Sequence, residues 1–221
     1  MLKYLALAFL AAFSAVSAEE TSRPLPRPAL DLPPIPPQQA VFAGGCFWGM
    51  QAVFQHVKGV KEVLAGYSGG SGNSARYEAV SWGNTGHAEA VRILYDPQVV
   101  SFGRLLQVFF SVMDPTTRNY QGPDEGSQYR SAVFAADDNQ RRVAEAYIAQ
   151  LSQARAFSRP IVTEVSALRG FYPAEPYHQD YLIKHPNDRY IVINDLPKIS
   201  ALQRFYPDLY EERPVTVALR R

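Results

Sequence analysis

Seven prolines crowd one short stretch, at positions 24, 26, 28, 33, 34, 36 and 37. Each removes a backbone donor and favours extended polyproline geometry, so neither a helix nor a central strand can form there. Regular structure must therefore start near Gln39, and residues 19–38 are expected to be a proline-rich tether or surface arm. Residues 39–221 show no internal repeat and no second low-complexity segment. They are enough for one substantial domain with a C-terminal tail, not for two domains. The 47% hydrophobic and 12% aromatic content lets such a domain bury a real core.

Ahead of the arm, the chain reads as an export signal. Met1-Leu2-Lys3 supplies a positive start, Tyr4 to Val16 a short apolar run, and Val16-Ser17-Ala18 small residues before Glu19-Glu20. That layout is a secretory signal peptide over residues 1–18, cleaved after Ala18, and the run is too short to span a bilayer. An uncleaved anchor or a buried helix is the alternative. The expected destination is the periplasm.

Charge excludes two classes of partner. Lys3 is the only charged residue before Glu19, so removing residues 1–18 leaves 21 basic against 21 acidic side chains. A nucleic-acid binder would carry a basic excess or stripe, and membrane association a polybasic segment; neither is present. Cysteine use is more informative. An exported chain with Cys46 as its single cysteine cannot close an internal disulfide, so the thiol is either reactive or a small buried hydrophobe. Composition leaves both readings open.

Periodicity places the elements. Residues 39–43 form a short apolar strand running into Gly44-Gly45, and residues 46–56 a helix with Met50, Val53, Phe54 and Val57 at helical spacing. Strands are expected over residues 60–67, 87–95, 128–135 and 161–165. In the second of these, Val91, Ile93 and Tyr95 alternate with Ala88, Ala90, Arg92 and Leu94. Ser101 can cap a helix through Met113, Asp137 can start one reaching about Ala154, and residues 177–184 form a short one. The order β-α-β-β-α-β-α-β predicts an α/β chain, an α+β sandwich with helices packed on a mixed sheet, followed by a loop-rich tail over the last 30 or so residues.

The segment Gly44-Gly45-Cys46-Phe47-Trp48-Gly49 carries the chemistry. A strand leads in and a helix leads out, so Cys46 falls at a helix N-terminus, where unpaired amides and the dipole favour a thiolate. The glycines allow a substrate to approach closely, and two aromatics beside the sulfur suit a small apolar group such as a methyl. A plain strand-to-helix turn with a packed cysteine is the alternative.

Gly45-Cys46-Phe47-Trp48-Gly49 resembles the hallmark of the A-type peptide methionine sulfoxide reductases, and the likeness continues in order through the chain. It takes in Gly66-Tyr67-Ser68-Gly69-Gly70, Tyr77-Glu78-Ala79-Val80, and Gly86-His87-Ala88-Glu89-Ala90-Val91. Asp114-Pro115-Thr116-Thr117, Gln121-Gly122-Pro123-Asp124 and Gly126-Ser127-Gln128-Tyr129-Arg130-Ser131 follow, and Ala174-Glu175 with Tyr177-His178-Gln179 closes it. The whole ordered set, over about residues 40–185, is far more specific than the pentapeptide alone.

The resemblance implies thiol-dependent reduction of methionine (S)-sulfoxide, in oxidised proteins or peptides or as the free amino acid. By it, Cys46 attacks the sulfoxide sulfur and Glu89 protonates the oxygen. Tyr77 and Tyr129 donate hydrogen bonds to that oxygen, Asp124 orders the site, and Phe47 with Trp48 hold the methyl. No bound cofactor and no metal are expected: four histidines and one cysteine offer no ligand spacing. His87 is expected to be structural or supporting. Many relatives carry later cysteines that resolve the sulfenic acid, and this chain has none. An external donor, thioredoxin-like or another thiol, is therefore the implied partner of a monomeric enzyme. Two rivals stand beside this reading: an acyl-transfer enzyme with His87 or His178 as base, and a non-catalytic module that binds oxidised methionine.

Overall fold

The computed structural model describes residues 22–33, 35 and 38–217. The signal-peptide reading of residues 1–18 lies outside them. Among the described residues, no helix is long and apolar enough to cross a membrane.

A six-stranded mixed sheet forms the centre. Its strands are β1 (Gln38–Gly44), β2 (Val60–Ser68), β3 (Ala88–Tyr95), β6 (Ser131–Ala135), β7 (Glu164–Ala167) and β8 (Phe171–Pro173). They lie in the order β7-β6-β1-β3-β2-β8, and β4 (Tyr120–Gln121) with β5 (Asp124–Glu125) makes a separate small hairpin. Only the β6–β7 pairing of the main sheet is parallel. The helices are α1 (Phe47–Gln55), α2 (Tyr77–Val80), α3 (Phe102–Val112), α4 (Asp138–Gln153), α5 (Tyr181–Lys184) and α6 (Leu196–Phe205), the last continuing a π turn at Ile191–Asp195. This is the α+β arrangement that the pattern predicts.

Side-chain alternation in β3 divides the core. Val91, Ile93 and Tyr95 enter the main cluster with Phe42, Phe54, Phe102 and Phe109, while Ala88 and Ala90 join a smaller one with Val41, Ala43 and Phe134. Glu89 shares the parity of Val91, so its carboxyl points into the larger apolar side. Caps form where the sequence places them. Ser101 Oγ accepts from the Arg104 amide at 3.2 Å, and Asp137 Oδ1 from the Gln140 amide at 2.8 Å.

Several expectations are corrected. β6 opens at Ser131, because Gly126, at φ 136°, turns the chain into a 3₁₀ turn over Ser127–Tyr129. β7 starts at Glu164, where the Val162 amide is bound to the Pro115 carbonyl, and β8 has no counterpart in the predicted order. The late helix is confined to Tyr181–Lys184. The tail is not merely loop: α6 packs on α1 and α3.

Residues 22–33 of the proline-rich segment run as a strap over α3, α4 and α6. The Leu25 amide donates to the Tyr206 hydroxyl at 2.9 Å, and the Leu25 and Pro26 carbonyls accept from Gln107 at 2.6 Å and Tyr147 at 2.8 Å. Leu25 is itself buried in the main core. Proline frees backbone carbonyls from internal pairing, and helix side chains take them up instead.

Candidate active site

Cys46 is the N-cap residue of α1, reached from β1 through Gly45 at φ +88°. A side chain at Gly45 would be strained and would meet Gln121 Cβ at 2.6 Å, so glycine is required for this turn. The sulfur is free and buried, with 8% of the residue exposed. Glu89 lies across from it at the start of β3, opposite Tyr67 of β2, and its Oε2 accepts the Phe47 amide at 3.0 Å. Cys46 and the Glu89 carboxyl are thus joined to one helix terminus.

Burial dominates the electrostatics. It pushes the Glu89 carboxyl up to about 8, against the opposing pull of the Phe47 amide. It also pushes the Cys46 thiol well above its ordinary range, with the Glu89, Asp195 and Asp124 carboxyls acting in the same direction and the Trp48 amide opposing. The thiolate expected from helix position is therefore corrected. Burial, the largest contribution, outweighs the one helix terminus, and the Asp195 and Asp124 carboxylates add to it, so the structure favours the thiol at Cys46.

The structure brings every expected site residue together. Tyr77 and Tyr129 are half-buried, and burial with the neighbouring Glu89 charge raises both phenols, so both remain donors. Asp124 accepts a short hydrogen bond from the Tyr190 hydroxyl. Phe47 lies fully buried, 5.8 Å from Tyr67 and 5.0 Å from His178 between ring centroids. Trp48 stacks on Tyr181 at 3.8 Å, meets Tyr190 edge-on at 6.0 Å, and donates its indole N–H to His178 Nδ1 at 3.1 Å. These rings form an aromatic box beside the sulfur.

Neither rival histidine is placed as a free base. His87 Nδ1 accepts from the Gly70 amide at 3.2 Å, which leaves Nε2 to donate to the Ser71 carbonyl at 2.9 Å. His87 is a brace for the glycine-rich turn. His178 Nδ1 is taken by Trp48, and burial lowers the ring's basicity. Among the described residues no cluster of His, Cys, Asp or Glu could hold a metal ion.

Other residues support the site, and of these only Glu175 and Gln179 fall in a motif visible in the sequence. Glu175 accepts from the Tyr67 hydroxyl and from the Tyr77 amide, both at 2.9 Å, and so fixes the start of α2. The Gln179 side-chain amide bonds the Ala65 amide and carbonyl, the Ala174 carbonyl and Gln51, and this seats His178 against the site. Tyr181 comes from α5, and Tyr190, Asp195 and Lys198 come from the tail. The π turn at Ile191–Asp195 interrupts the 3.6-residue repeat there, which hides the helix from a periodicity search.

A family model described as peptide methionine sulfoxide reductase matches residues 38–208. The peptide methionine sulfoxide reductase MsrA 2 of Mesorhizobium japonicum is 55% identical over 181 residues, covering 81% of this chain and 93% of that protein. Its namesake from Synechocystis sp. is 49% identical over 193 residues, 85% of this chain and 90% of the relative. Among solved structures, reduced Mxr1 from Saccharomyces cerevisiae is similar with a TM-score of 0.62 and 31% identity, over 72% of this chain and 91% of that one. Methionine sulfoxide reductase A of Corynebacterium diphtheriae gives 0.59 and 33%, over 74% and 83%. With the hallmark cysteine, the buried Glu89 carboxyl and the aromatic rings gathered at one end of α1, the chain belongs to the peptide methionine sulfoxide reductase A family, as an oxidoreductase of the peptide-methionine (S)-S-oxide reductase class.

Proposed function

We propose that the chain repairs oxidised proteins by reducing methionine (S)-sulfoxide, protein-bound or free, through a sulfenic acid on Cys46 that an external thiol removes. The observation that carries this reading is the Glu89 carboxyl seated on the amide next to Cys46 and protonated at neutral pH. A general acid needs that protonation state.

The atoms balance without a cofactor. Glu89 gives its proton to the sulfoxide oxygen as the Cys46 sulfur bonds to the sulfoxide sulfur, and the thiol proton restores Glu89. The oxygen finishes on Cys46 as a sulfenic acid, and methionine leaves. The substrate sulfur gains two electrons and the cysteine sulfur loses two. Tyr77 and Tyr129 donate to the oxygen as its charge develops, and Phe47 with Trp48 enclose the methyl. Asp124, held by Tyr190, keeps the rim in place.

Cys46 is the single cysteine of the chain, so the sulfenic acid has no internal thiol to attack it. Two external thiol groups, from a thioredoxin-like or other donor, would reduce it with release of water. The N-terminal pattern supports export to the periplasm, with removal of residues 1–18 and one catalytic domain beyond, to which the proline-rich residues 22–33 are strapped.

One turnover without reductant tests the reaction. Mass spectrometry should find one added oxygen on Cys46 and one methionine released per enzyme. Methionine release with an unmodified Cys46 would sink the sulfenic-acid route, and equal turnover of the separated sulfur epimers would sink the stereochemical one.

A further inference from the structure

Beyond the residues that act on the substrate, the pocket holds a buried ion pair that the reaction above does not use. Lys198 Nζ donates to Asp195 Oδ1 at 2.9 Å, and the two side chains are 12% and 0% exposed. Their position is set by Gly49. A Cβ built there would lie 2.1 Å from Asp195 Oδ1 and 3.1 Å from Lys198 Nζ, so the pair fills the space that a side chain at 49 would take. Gly49 is three residues after Cys46 on α1. Positions i and i+3 share a helix face at roughly 5–6 Å. The pair therefore abuts the face of α1 on which the sulfur begins.

Stability does not account for it. Asp195 Oδ2 has no hydrogen-bond partner among the described residues. A buried pair with an unpartnered oxygen costs desolvation that a well-packed apolar pair would avoid. The surroundings give the charge a purpose. Glu89 and Asp124 join Asp195 around Cys46, with the Tyr77, Tyr129 and Tyr190 phenols also facing the pocket and Asp188 acting on Asp195 from the same tail. An anion forming on sulfur in that company needs a cation. Lys198 interacts favourably with both Cys46 and Asp124.

We propose that Lys198, held by Asp195 against the first turn of α1, is a positioning residue that supplies the countercharge when the Cys46 thiol gives up its proton during attack. Asp195 anchors the ammonium, and its own negative charge restrains how far the sulfur is activated. The two members of the pair thus act on Cys46 with opposite sign. This rests on the reading of Cys46 as the nucleophile, but its test requires no turnover.

Full-length protein is alkylated with iodoacetamide across a pH series, and the midpoint of the rate profile is read for Cys46. Lys198→Met should move the midpoint upward by about one pH unit and slow alkylation at neutral pH roughly fivefold or more. Asp195→Asn keeps an acceptor for Lys198 and should move it downward. The double variant should return near the parent, and Lys198→Arg should lie closer to the parent than Lys198→Met does. If Lys198→Met does not fold, Lys198→Gln, which keeps a donor for Asp195 but carries no charge, takes its place with the same expected upward shift. Unchanged midpoints, or midpoints that move the same way in both single variants, would overturn the proposal and leave the pair as a structural clamp. Failure of the reductase reading would appear instead as normal alkylation with no sulfoxide reduction.

Discussion

The Phe47 backbone amide donates to Glu89 Oε2 at 3.0 Å, which ties the buried carboxyl to the same helix terminus that carries Cys46. A single strand-to-helix turn thereby places both groups, and the alternation of β3 sets the environment of the carboxyl. On the exposed face of a sheet, the same carboxylate would be ionised at neutral pH and of no use as an acid.

Replacing the acid should separate chemistry from binding. Glu89→Gln keeps an acceptor for the Phe47 amide but has no proton to give. We expect kcat to fall on the order of 10²–10⁴-fold, with a much smaller change in KM. Steady-state kinetics with a methionine-sulfoxide peptide check this. In the parent, activity should fall as pH rises through about 8, where Glu89 ionises.

Stability should carry the same signature. The Glu89 carboxyl titrates near 8 in the folded chain against an ordinary 4.5, so the folded state holds a proton that the unfolded chain has released. Its contribution to stability is fully present below about 4.5 and is lost as pH rises through about 8. Urea unfolding at about pH 5 and about pH 9 should show a smaller loss for Glu89→Gln than for the parent. An identical pH slope would show that Glu89 is not buried in its acid form.

Trp48→Phe isolates one polar contact within the aromatic box. The ring can still stack on Tyr181, but the N–H to His178 Nδ1 is gone. Loss of a hydrogen bond of about 1 kcal/mol should raise KM roughly fivefold while leaving the alkylation of Cys46 unchanged.

Gly49→Ala should be costly for a substitution that usually favours helices. Its Cβ would meet Asp195 Oδ1 at 2.1 Å and must displace the buried pair. A loss of about 1–3 kcal/mol is expected, measured by urea unfolding. A more stable variant would mean that α6 can move away from α1 without strain.

The strap gives a prediction remote from the chemistry. Asp31 accepts from the Gly103 amide at 2.8 Å and from the Ser101 hydroxyl, at the start of α3. Asp31→Ala should cost about 1 kcal/mol, a typical cap loss, with kcat and KM of the folded enzyme unaltered. Thermal unfolding and kinetics on one preparation test both halves.

Local chemistry was legible in the residues themselves: the glycine turn before Cys46, the caps at Ser101 and Asp137, the two faces of β3, and the ordered motifs that bring Tyr77, Glu89, Asp124 and Tyr129 to one family. Each depends on neighbours in the chain or on a motif that survives as a string. What required the tertiary structure was whatever depends on distant segments meeting. Burial pushes the Cys46 thiol up, a desolvation by distant segments that no local window contains. Tyr190, Asp195 and Lys198 lie on a segment whose helical periodicity is broken by a π turn, so no local pattern assigns them to the site. Residues 22–33 became a strap because helices far along the chain supply the partners that proline-rich backbone cannot supply to itself.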